Sequence, residues 1–276
     1  MVGFGTAARF FLLAALPGIA SAQQPSSITA ERRSYAEWLT SSSVSPLAAV
    51  AMHRLSGSAT LGPDTADIPL KGFGPATVRE RGGVVTLVGP GDQTRALPRG
   101  RAVSVPPWTL QVQGAAGASV LLVYGRPGGA APAWYPPDGR LSFIVPLDPP
   151  ARAERRRVLT LDGIDVEAEM AGTVTVPLGP SRTRLSVMRM PVPGTEETEL
   201  QVYFRDATND RGTYPAGRFV ELTPVDGGKY RIDFNLARNP FCAYSSVYPC
   251  PVPWPGNSVP VAVEAGEKYQ PGKTGT

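Results

Sequence analysis

The chain has 276 residues, 42% of them hydrophobic, with 30 glycines, 30 prolines and a formal charge of +4. That much Gly and Pro punctuates regular structure too often for long helices, while the apolar share suffices for a buried core. One histidine and two cysteines exclude a His-rich zinc centre, and basic residues scattered along the chain give no support to nucleic acid as a partner, which needs them clustered on one face.

The first residues read as an export signal. Arg9 supplies the positive charge, Phe10-Phe11-Leu12-Leu13-Ala14-Ala15-Leu16 is a short apolar run, Pro17-Gly18 breaks it, and Ala20-Ser21-Ala22 offers the small-x-small pattern of a cleavage site. The run is too short to cross a bilayer of ~30 Å as a helix. Cleavage after Ala22 is therefore expected, and with Arg9 removed the formal charge falls from +4 to +3. Gln23 follows in place of a cysteine, so no lipid anchor is expected. The mature chain is expected to be soluble, without a membrane span, and periplasmic or secreted.

After a leader over 23–34, a β module is expected over 35–126, a Gly/Ala/Pro-rich seam over 127–137, a second β module over 138–269 and a tail over 270–276. A short amphipathic helix begins near Thr29, with Tyr35, Trp38 and Leu39 on one face and Arg32-Arg33 turned to solvent. Residues 47–55 suit either helix or strand. Beyond them, short β-branched and apolar runs recur between turn signals: 84–88, 108–112, 120–124, 141–145, 157–161, 173–176, 185–188 and 200–204. This rhythm predicts a mostly β fold of sandwich or barrel-like modules with one short N-terminal helix.

From Val202 the chain is dense in polar and turn-forming residues. Phe204-x-Asp206-x-Thr208, Thr213-Tyr214-x-x-Gly217-Arg218-Phe219, Asp233-Phe234-Asn235, Asn239-Pro240-x-Cys242-Ala243-Tyr244, Cys250-Pro251, Asn257 and Ala265-Gly266-Glu267-Lys268 follow in order. This string resembles the family DUF1684, uncharacterised proteins of bacteria and archaea, and the resemblance spans about residues 35–269. It implies membership and no reaction. A second likeness is local: the rhythm of Leu61-Gly62, Asp67-Ile68-Pro69-Leu70 and 83–87 is similar to the start of a forkhead-associated phosphopeptide module. Pro63 stands where that family's phosphate-binding arginine belongs.

His53 lies in a Met-His-Arg context, no G-x-S-x-G elbow occurs, and no Gly-rich phosphate loop opens a helix. A catalytic triad and a nucleotide site thus lack support, and no cofactor or metal is implied. Cys242 and Cys250 read as a disulfide in an oxidising compartment, closing a short loop worth about 2–3 kcal/mol. The alternative, a nucleophilic thiol, needs an activating base or cation nearby. Asp206, Arg218, Asp233, Asn235, Asn239, Glu267 and Lys268 form the candidate polar cluster. Asp206 with Asp233 or Glu267 could serve as acid and base on a glycan-like substrate, or the Asp and Asn oxygens could hold a hard cation. Otherwise Arg218 and Lys268 neutralise the acids and the Asn side chains hold turns. The first case makes an envelope hydrolase, the last a binding or scaffold module for an unknown small molecule or envelope component.

Overall fold

The computed structural model describes residues 25–192 and 197–269. The expected signal peptide, its cleavage site at Ala22 and the tail 270–276 lie outside them. The chain opens with helix α1 (Pro25–Ser41). It starts earlier than the 3.6 periodicity from Thr29 suggests, because Ile28 belongs to the buried stripe. That stripe is Ile28, Arg32, Tyr35 and Leu39, at helical spacing. Arg32 is thus packed against the protein, contrary to the expected solvent face, while Arg33 is exposed.

Among the described residues sixteen strands follow: β1 (Ala49–Arg54), β2 (Ser58–Gly62), β3 (Ile68–Pro69), β4 (Ala76–Arg81), β5 (Val84–Val88), β6 (Thr94–Ala96), β7 (Ala102–Val105), β8 (Trp108–Gln113), β9 (Val120–Tyr124), β10 (Ser142–Val145), β11 (Arg155–Leu159), β12 (Asp165–Leu178), β13 (Ser181–Pro191), β14 (Thr198–Phe204), β15 (Arg218–Val225) and β16 (Lys229–Asp233). They form three sheets, ordered β1-β9-β8-β7, β3-β2-β4-β5-β6 and β10-β16-β15-β14-β13-β12-β11. The ambiguous segment 47–55 resolves as the end of a 3-10 turn (Pro46–Ala48) followed by strand β1, paired antiparallel with β9. The fold is mostly β and sandwich-like, and among the described residues the sheets keep open edges and close no barrel.

The two smaller sheets share one core, in which Leu110, Val112, Leu121 and Val123 meet Leu61, Val78, Val85 and Leu87. Strand β9 is a continuous apolar run because it is covered on both faces. Leu122 and Tyr124 point away from that core and pack with Ala48 and Tyr248, which ties the first β layer to the C-terminal segment.

The seven-stranded sheet obeys period-2 alternation. Leu200, Val202, Phe204, Val220, Leu222 and Ile232 face a core closed by Val259, Val263 and Ala265 from the irregular chain after β16. On the opposite face Tyr203 stacks on Phe219, ring centroids 4.1 Å apart, beside Trp254. The final segment therefore covers both faces of the sheet without adding a strand to it, and polar side chains must hold it there. Among the described residues no helix is long and apolar enough to cross a membrane.

Candidate functional site

Arg218 begins β15 opposite Phe204 and is fully buried. Its Nη2 donates to Asp206 Oδ2 at 2.6 Å and to the Val263 carbonyl at 2.9 Å, and its Nη1 to the Ala265 carbonyl; Nε is buried without a hydrogen-bond partner. The cation also lies over the Phe204 ring, 5.3 Å from its centroid. Asp206 Oδ1 accepts from Thr208 N, Thr208 Oγ1 and Val263 N, at 2.8, 2.6 and 3.2 Å. Both oxygens of the carboxylate are engaged, and neither side chain reaches solvent. A buried charge needs such a partner and further hydrogen bonds to offset its desolvation. The pair fixes the turn after β14 to the segment that closes the core.

The remaining members of the polar cluster fall into two further clasps, not one cleft. Asp233 Oδ1 accepts from Asn235 N and Nδ2 at 2.9 and 2.8 Å, and Asn235 in turn exchanges hydrogen bonds with the backbone of Asp138. Arg32 of α1 docks here, donating from Nε and Nη2 to the Asn235 carbonyl and from Nη1 to the Tyr135 carbonyl. In the other clasp, Glu267 accepts from Asn239 N at 2.8 Å and from the Tyr244 hydroxyl, and Asn239 Nδ2 donates to the Lys268 carbonyl at 3.1 Å. Burial pushes the Glu267 carboxyl up to about 8, against the pull of the Asn239 N–H. Lys268 does not neutralise it, contrary to expectation: its Nζ sits over the Tyr135 ring, 4.6 Å from the centroid. Gly266 (φ +74°) is forced between these clasps, since a Cβ there would stand 2.6 Å from the Ala237 carbonyl oxygen.

The expected Cys242–Cys250 disulfide is not formed; both residues are free thiols. Tyr214 lies against both, its hydroxyl donating to the Cys242 carbonyl at 3.2 Å and standing 3.3 Å from Cys250 Sγ. The Cys242 thiol is pushed up to about 12, first by burial and then by Cys250, the reverse of what a thiolate nucleophile needs. His53 is half-buried on β1 opposite Leu121. Among the described residues no group of three His, Cys, Asp or Glu side chains is placed to hold a metal ion.

One polar site escaped the sequence reading. The registers of β14, β15 and β16 set Gln201 opposite Glu221 and Thr223 opposite Arg231. Glu199, Gln201, Glu221, Arg231 and Asp233 consequently share the sheet face away from the main core, around a cavity of about 120 Å³ roofed by Glu31 of α1. Glu199 is raised above the usual carboxylate range by burial and then by the like charge of Glu221, and Glu221 is raised by partial burial. The signal was a polar alternation, Glu199-x-Gln201 and Glu221-x-Thr223, on strands whose other face is apolar. A larger cavity of about 360 Å³ opens between Gln113 and Asp165, but its Arg99 is committed to Glu80 at 2.6 Å.

The family described as "Protein of unknown function (DUF1684)" matches residues 131–268, which include all three clasps. A similar solved structure is the solution NMR structure of an uncharacterized protein of Haloarcula marismortui, 31% identical over 51% of this chain and 78% of that one, with a TM-score of 0.44. No curated protein matches. The motif string and the match over residues 131–268 agree: the chain belongs to the DUF1684 family of proteins of unknown function.

Proposed function

We propose that the chain is an exported, non-catalytic binding module of the cell envelope, whose family motifs build the frame and not a reaction centre. The carrying observation is the Asp206–Arg218 pair, closed to solvent on both sides with every carboxylate oxygen engaged. A glycan hydrolase needs an acid and a base flanking a substrate. Asp206, Asp233 and Glu267, the acids first suited to that role, are buried and bound to backbone groups of their own chain. Export is supported by the Arg9, apolar-run and Ala20-Ser21-Ala22 pattern.

Intact-mass measurement of the periplasmic fraction tests export: the chain should begin at Gln23, and a cytosolic protein retaining Met1 would refute it. Thermal unfolding of Arg218→Met tests the framework role. Near-parental stability in that variant would make Arg218 a ligand-contacting group and overturn the reading.

A further inference from the structure

We infer that the cavity between β14, β15, β16 and α1 takes the ammonium group of a primary amine, and that the adjoining apolar hollow takes that amine's short hydrocarbon tail. The inference rests on the binding reading and gives it a site and a ligand class.

Two acceptors at this cavity have no donor. Asp233 is 2% exposed, and its Oδ1 is spent on Asn235, yet its Oδ2 is buried without a partner. Gln201 Oε1 is likewise buried and unpartnered, while its Nε2 donates to Glu199 Oε1 at 2.6 Å. Both residues line the cavity. A buried carboxylate oxygen left without a donor is costly, and buried polar atoms in folded proteins are nearly always satisfied. Arg32 lends Asp233 positive charge, but its guanidinium donates to the Asn235 and Tyr135 carbonyls.

The charges around the site select the donor. Glu31, Glu199, Glu221 and Asp233 line it together with Arg231 and Arg238. Arg238 is turned toward Glu31, at 3.6 Å, and over the Tyr35 ring, 4.5 Å from its centroid. The acidic balance favours a cation. An ammonium group is compact and brings three donors, enough for Asp233 Oδ2, Gln201 Oε1 and one oxygen of the Glu199 and Glu221 pair. A divalent metal ion would need a closer set of oxygen ligands, and no such group of three acidic side chains is present among the described residues.

The second hollow supplies the tail site. It measures about 170 Å³, shares Leu161, Glu199 and Gln201 with the polar cavity, and is walled by Met190, Pro191 and Phe241. A head satisfied by oxygens and a chain laid along Leu161 toward Phe241 would fill both. Ligand sites commonly combine an apolar lining with a few placed polar groups in this way.

The test is an NMR titration of isotopically labelled mature protein with n-butylamine at pH 7, and with 1-butanol as its neutral counterpart. Expected are amide shifts clustered on 199–201, 221–223 and 231–233 with the amine, at least tenfold weaker binding of 1-butanol, and at least tenfold weaker amine binding in Glu221→Gln, at a residue that is exposed. Gln201→Leu should weaken it further, as a second variant independent of charge. Equal binding of amine and alcohol, shifts confined to other surfaces, or unchanged affinity in both variants would overturn the site. None of those results touches the binding reading, which the melting of Arg218→Met judges separately.

Discussion

Arg218 and Asp206 meet at 2.6 Å with neither side chain exposed, 12 residues apart in sequence and on either side of the turn that separates β14 from β15. Through the carbonyls of Val263 and Ala265 the same guanidinium holds a segment that is 45 and 47 residues further on. One side chain thus joins a local turn to the closure of the core. The other family motifs do the same at other points, and each makes a separate test.

Asn257 is a pin of this kind. It is fully buried, accepts from Ser186 N at 2.7 Å and donates to the carbonyls of Ser186 and Tyr203, each at 3.0 Å. Asn257→Ala strands these backbone groups, and unsatisfied buried groups cost about 1–3 kcal/mol each. A loss of about 3 kcal/mol in urea unfolding is expected, with unchanged β content by circular dichroism.

Glu267 makes stability depend on pH. Its folded value near 8 exceeds the ordinary 4.5, so between those pH values the folded state holds a proton that the unfolded state has released. Stability then falls as pH rises through this window, by up to about 1.4 kcal/mol per pH unit. Asp162, Glu199 and Glu221 are raised too and act in the same direction. Urea midpoints measured from pH 5 to 8 should decline in the parent and decline less in Glu267→Gln; identical slopes would contradict the assignment.

Helix α1 is held by Arg32 as well as by its apolar stripe. Arg32→Met removes three hydrogen bonds from a cation to backbone carbonyls, and a bond to a charged group contributes about 1.5–3 kcal/mol net. The helix should loosen before the sheets do. Limited proteolysis should cut the variant within 25–41 many times faster than the parent, leaving a protected fragment that carries the three sheets.

Much of the β architecture was legible. Alternation in residues 200–204 and the two-sided burial of residues 120–124 each identify a strand and its faces from residue types alone. That Arg218 neutralises an acid was legible too, as one of the alternatives for the polar cluster. Its partner could not be chosen in advance between Asp206 and Asp233, because that depends on where the chain after β16 runs. Arg32 was misjudged for a physical reason: a long basic side chain on the buried stripe is stabilised by carbonyls 103 and 203 residues away in sequence, which local pattern does not reveal. The amine-sized cavity was hidden in the same manner, its polar alternation visible but its depth set by α1 and by the chain at Leu161, Leu236 and Arg238.

The central claim is that the polar motifs hold the fold together, and the melting of Arg218→Met decides it. Removing the cation leaves Asp206 buried and unpaired, a change that costs about 3–5 kcal/mol and should lower the unfolding temperature by on the order of 10 °C in a chain of this size. An unfolding temperature within a degree or two of the parent would contradict the claim.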